Sequence, residues 1–132
     1  MARRILAVFA GMLAALFVVL AMEALGAAIW PLPAGIDPRD ADSMREALAH
    51  IPRGALLLVL FGWALGSFAG GLAAARIARS QWTAVVVGAL QLVGGVVNMA
   101  TIPHPGWFWV AGPVALFAPA WLGGRLAGRP AV

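Results

Sequence analysis

Cysteine is absent from the 132 residues, which removes disulfides, thiolate metal sites and a cysteine nucleophile, and leaves the redox compartment unread. Charge is scarce as well: 11% of the chain is charged and 63% hydrophobic, where soluble domains run to roughly a quarter charged and about half apolar. A soluble fold of this length has no interior large enough to hide that much apolar surface, whereas lipid accepts it. Lysine is missing too, all nine basic residues being arginine, and together with the abundant alanine this points to a bacterial source of high GC content. The net charge is +4, but the arginines stand at the ends of apolar runs and form no patch interleaved with aromatics. Nucleic acid is therefore not an expected partner.

What is present is a succession of four apolar runs, at about 5–30, 54–75, 83–102 and 107–124. The first, Ile5 to Trp30, is apolar apart from Glu23 and long enough to cross a hydrocarbon core of ~30 Å with some tilt. Pro31, Pro33 and Gly35 end it, because proline lacks the donor and clashes with the preceding turn. Its arginines, apolar run and small residues also suit a cleaved leader, but the run to Met22 exceeds a leader's 7 to 15 residues, so a retained span is expected. The second run is charge-free and stops at Arg76 and Arg79; the third is interrupted by Gln91 and Asn98. Pro103-His104-Pro105-Gly106 joins the third to the fourth, a connection so short that the two must be antiparallel neighbours. The expected architecture is an all-α membrane protein, an antiparallel four-helix transmembrane bundle forming one domain over 1–132.

One further helix is expected in the loop after the first span, over 38–51 (PRDADSMREALAHI). Asp37 serves as its N-cap with Pro38 at the first helical position. Ala41, Met44, Leu48 and Ile51 recur at helical spacing as a narrow apolar stripe, so this amphipathic segment lies on the outer membrane face or caps the bundle. Orientation follows from the arginines: Arg3, Arg4, Arg76, Arg79, Arg125 and Arg129 fall on one side, against Arg39, Arg45 and Arg53 on the other. The richer side is expected in the cytoplasm, placing both termini there and the loop helix outside a bacterial inner membrane. Trp30, Trp107 and Trp109 mark the outer boundary and Trp82 and Trp121 the inner one, with Trp63 alone in the middle.

Within the spans, Glu23 is the most informative residue. A carboxylate there costs a few kcal/mol on insertion scales and ordinarily faces protein or water; it lies about seven residues, hence ~10 Å, below Trp30. It is a candidate proton- or substrate-binding group, or else a carboxylate that snorkels or bonds within the bundle. Asn98 lies at a similar depth, and Gln91 one heptad earlier on the same face with Gly95 between them, which suits interhelical hydrogen bonding or a narrow polar passage. His50 and His104 both fall on the outer side; with Glu23 or an acidic loop residue they offer a two-histidine, one-carboxylate set for zinc or another divalent metal. Their spacing matches no local metal motif. His50 has Glu46 one turn before it, a common solvated pair. Gly62, Gly66 and Gly70 repeat GxxxG on the second span, for packing inside the bundle or for a homodimer. Ser67 is expected to bond back to its own helix, and Pro113 and Pro119 to kink the last one. Neither a Ser-His-Asp order, a phosphate loop, a close helical carboxylate pair nor a nucleotide motif is present, and no cofactor is expected apart from the metal just considered.

Three functions compete. The first is a non-enzymatic membrane subunit, structural or partner-binding, in which Glu23, Gln91 and Asn98 serve packing. The second is a proton-linked small-molecule transporter in which Glu23 binds proton and substrate alternately. In helix count and in a glutamate on the first helix, Glu23, the chain resembles the small multidrug resistance transporters. The long loop after the first helix and the longer chain depart from that family, so its mechanism is not carried over. The third is an outward-facing metal-dependent or acid-base enzyme using Glu23, His50 and His104.

Overall fold

The computed structural model describes residues 1–127; Arg129, counted above among the inner arginines, lies outside them. The described residues form five helices: α1 (Ala2–Ile29), α2 (Ala41–Leu48), α3 (Arg53–Ala78), α4 (Gln81–Thr101) and α5 (Phe108–Ala127). All but α2 are long and apolar enough to cross a membrane. Their ends lie within a few residues of those expected from hydropathy.

The centre of the molecule is α3, with α1 packed along one side and α5 along another, while α4 lies mainly on α5 and meets α1 only lightly. Small residues set this arrangement. A Cβ at Gly62 would stand 2.8 Å from the Met22 Cβ, one at Gly66 2.7 Å from the Val19 Cγ2, and one at Gly70 2.7 Å from the Gly11 carbonyl oxygen. Position numbers rise along α3 as they fall along α1, so the two helices run in opposite directions. Without side chains the two backbones approach closely enough for van der Waals packing to hold them in lipid. The glycine face of α3 is thus filled by α1 of the same chain. Pairing of two copies through this helix is left with its other side, where Leu57, Phe61 and Leu65 are exposed. On the α5 side, a Cβ at Gly71 would collide with the backbone of Ala120, and one at Gly123 would stand 2.5 Å from the Phe68 carbonyl oxygen.

Three local expectations are corrected. Ser67 does not bond back to its own helix: its hydroxyl donates to the Leu116 carbonyl on α5, one residue beyond Ala115, whose carbonyl Pro119 deprives of its intrahelical donor. The loop helix spans only Ala41–Leu48 and its N-cap is Asp40, not Asp37. Asp40 Oδ2 accepts the Ser43 amide at 2.9 Å, while the Asp37 amide donates to Ser43 Oγ at 3.0 Å and Asp37 Oδ1 accepts from the Arg39 amide at 2.9 Å. Asp37 is spent on a turn that leads into the helix, leaving Pro38 outside it. Finally, the His50 ring meets the Glu46 backbone carbonyl at 3.2 Å, not its carboxylate.

The end that carries Arg3, Arg4, Arg76, Arg79 and Arg125 is tied by polar contacts. Arg3 Nε donates to the Ile77 carbonyl at 2.7 Å, satisfying one of the carbonyls that the end of α3 leaves open. Gln81 Nε2 donates to the Trp121 carbonyl at 3.0 Å, and the Arg125 guanidinium sits 4.8 Å from the Trp121 ring centroid. The α3–α4 connection is only Arg79-Ser80, with Arg79 in the left-handed region at φ 54°.

Candidate functional site

Two hollows have Glu23 in their lining. The larger one, about 440 Å³, lies between the last turns of α1, the start of α3, the 102–104 segment and α2 as a roof; Glu23, His50 and His104 are all in its lining. The roof is the apolar stripe of α2: Met44, Leu48 and the following Ile51 are half-buried and line the cavity. Hydrophobic periodicity thus decides which side of α2 faces inward.

His104 is held by more than its flanking prolines. Its Nδ1 lies 2.7 Å from the Ile102 carbonyl; a carbonyl only accepts, so Nδ1 carries the proton and the neutral ring leaves Nε2 unprotonated. The ring packs 4.7 Å from the Phe108 centroid and 6.3 Å from that of Trp63. Burial lowers its pKa from the usual 6.5, with the hydrogen bond to Ile102 opposing, so the neutral ring dominates at neutral pH. His50, which is otherwise exposed, likewise turns its Nδ1 to a backbone carbonyl, that of Glu46.

The second hollow is a cleft of about 280 Å³ between α1 and α4, with Trp63 and Leu116 behind it and Glu23, Gln91 and Asn98 as its polar lining. It exists because α1 and α4 are the most lightly joined neighbours in the bundle. Gln91 is only 9% exposed, and its Nε2 is buried without a hydrogen-bond partner. Asn98 is half-buried and Glu23 exposed. Among the described residues Glu23 makes neither a hydrogen bond nor an ion pair; the one ion pair there, Arg45 to Asp42 at 3.1 Å, joins two exposed side chains of α2.

The sequence-derived candidates therefore fall into two overlapping sets. Glu23, His50 and His104 share the cavity under α2, Glu23, Gln91 and Asn98 share the cleft, and Glu23 belongs to both. Lining one cavity is a weaker condition than converging on one point: among the described residues, no group of three His, Asp or Glu side chains is placed to hold a metal ion. Sequence reasoning passed over two participants. Trp63 backs the cleft and meets His104; its isolation in mid-membrane was the available signal. Gly94 sits at the lip of the cleft, where an added Cβ would meet nothing within 4 Å, and no pattern separates it from the packing glycine beside it. No protein-family model, curated protein or solved structure matches the chain.

Proposed function

We infer that this chain is a non-enzymatic, multi-pass protein of a bacterial cytoplasmic membrane, an antiparallel four-helix bundle with both termini in the cytoplasm and α2 outside, that moves a small solute in exchange for protons at Glu23. The observation that carries the reading is the place of Glu23 in the lining of both hollows. A lone charge is costly at that depth, so the carboxyl group holds either a proton or a positively polarised group of the solute. Exchanging one for the other is the elementary step of proton-linked transport. Packing at the opposite end supports access from one side only: Ala7, Ala74, Ala75 and Ala84 are fully buried, and Gly124 abuts Ala84 with no room for a side chain.

The test is proton movement in liposomes containing the purified protein. Glu23→Gln should abolish solute-driven proton movement while leaving yield and melting temperature unchanged. Undiminished movement in that variant would overturn the reading. A second reading, a partner-binding subunit, is favoured by the apolar groove of about 850 Å³ between α3 and α5, lined by Leu57, Phe61, Trp107, Val110 and Val114 among others. A foreign helix or a second copy fits such a groove, and loss of folding in Glu23→Gln, with no proton movement in the parent protein, would favour it.

A further inference from the structure

We propose that the cleft between α1 and α4 binds an uncharged long-chain lipid alcohol taken sideways from the bilayer, with its hydroxyl held by Gln91 and Asn98 beside Glu23 and its chain along Met12, Leu16 and Leu90. The proposal rests on the reading of Glu23 as the solute-binding carboxyl and names the solute.

The route is set by the α1–α4 seam. Besides the central cleft, a hollow lined by Arg4, Ile5, Val8, Trp82 and Val86 opens along the same pair of helices nearer their N-terminal ends, and at the other end Glu23 lines both the cleft and the cavity under α2. The seam is thus open to the side at successive levels. At the cleft its lip is Leu16, Leu90 and Gly94, all exposed, and the missing side chain at Gly94 leaves the mouth clear. A molecule that arrives through this mouth comes from lipid, and most of what it meets is apolar.

The chemistry of the head follows from what the cleft leaves unmet. Gln91 lines the cleft, and its amide nitrogen is buried without an acceptor; a buried donor is expensive to leave unpaired, and a turn of the terminal amide, whose torsion is broad, would bring that donor to a hydroxyl in the cleft. Glu23 as a carboxylate needs a donor, and Asn98 offers both roles. A hydroxyl donates and accepts through one atom and carries no charge to desolvate. A carboxylate or phosphate head would meet the like charge of Glu23. An ammonium head would satisfy Glu23 and leave the Gln91 donor empty, and an alkane would satisfy nothing.

Trp63, at the back of the cleft, provides the readout. A long-chain primary alcohol brominated on the carbon next to its hydroxyl-bearing one, added to the purified protein, should quench fluorescence saturably, because Gly95 between Gln91 and Asn98 abuts Trp63, and Trp63→Phe should remove that component. A bromoalkane and a bromo-fatty acid of the same length should give no saturable quenching. Gln91→Leu should weaken the alcohol about tenfold, the loss of one hydrogen bond. Gly94→Leu should block binding at unchanged melting temperature, while Gly94→Ala, too small to close the mouth, retains it. Equal quenching by the alkane or the acid, or parental affinity in Gln91→Leu, overturns the proposal, and Gln91→Leu carries the test alone if Gly94→Leu does not fold. Saturable alcohol binding without Glu23-dependent proton movement upholds the lipid site and overturns the transport reading. Glu23-dependent proton movement driven by a water-borne solute, with no alcohol binding, does the reverse.

Discussion

Leucine has nearly the volume of glutamine, so Gln91→Leu removes a buried amide whose nitrogen has no partner without opening a cavity. If Gln91 were there for packing, the exchange would cost a contact; with its donor unmet, it should instead stabilise the protein by about 1–3 kcal/mol. Unfolding in mixed micelles of mild detergent and dodecyl sulfate reads the difference, and a loss of stability would show that the amide is satisfied in the folded protein. His104 gives a second prediction, in pH. Its folded-state pKa lies below the 6.5 of the free side chain because burial disfavours the charged ring. Between those two values the unfolded chain holds a proton that the folded chain lacks, so stability falls as pH drops through 6.5, levels off below the folded value, and is flat above. His104→Phe, which keeps an aromatic ring against Phe108, should remove that slope. Melting temperatures of both proteins from about pH 5 to 8 test it; identical slopes would sink the assignment, since every other titrating group is common to the two.

The helices owe their pairing to where side chains are missing, and the glycines are not equivalent. At Gly71 an added Cβ would stand 2.8 Å from both the Cα and the carbonyl carbon of Ala120, and backbone cannot swing aside as a flexible side chain can. Gly71→Val should therefore force α3 and α5 apart and cost about 1–3 kcal/mol or more. Gly94→Ala, facing open space, should be neutral or gain up to about 1 kcal/mol from helix propensity. The same unfolding assay compares them, and similar losses at both positions would refute the distinction. The GxxxG run at Gly62, Gly66 and Gly70 was legible as a packing face because the repeat is local. That α1 fills it, and that Ser67 reaches Leu116 on α5, was not: these partners are distant in sequence, and small residues are spread over every span. The start of α2 was misplaced for a related reason. Asp37 and Asp40 are both good caps, and the second is selected because Ser43 gives its amide to the Asp40 carboxylate while its hydroxyl accepts from the Asp37 amide.

For the molecule as a whole, hydropathy alone gave the four spans, since a stretch of apolar residues long enough to cross lipid has few other uses. The candidate site was legible in its membership and not in its shape. An ionisable or amide side chain inside a span is conspicuous in the sequence, but whether such groups share a hollow depends on how tightly α1 meets α4, which no residue pattern announces. Orientation is a separate matter, resting on arginine bias: six arginines expected on one side, Arg129 among them lying outside the described residues, against three on the other. In the fold, Arg3, Arg4, Arg76, Arg79 and Arg125 gather at one end, where Arg3 also closes the last turn of α3. Arg3 thus has a packing role there, whereas Arg76 and Arg79 are exposed and make no side-chain hydrogen bond among the described residues, leaving charge as their contribution. The bias predicts that a reporter enzyme active only outside the cytoplasm works when inserted after Asp42, and that a fluorescent reporter that matures only in the cytoplasm works when fused after Val132. Replacing both Arg76 and Arg79 by alanine narrows the bias to four against three and should yield a mixed population, with each reporter partly active in the opposite compartment. An unmixed population in the double variant would mean that the first helix, with Arg3 and Arg4, sets the orientation by itself.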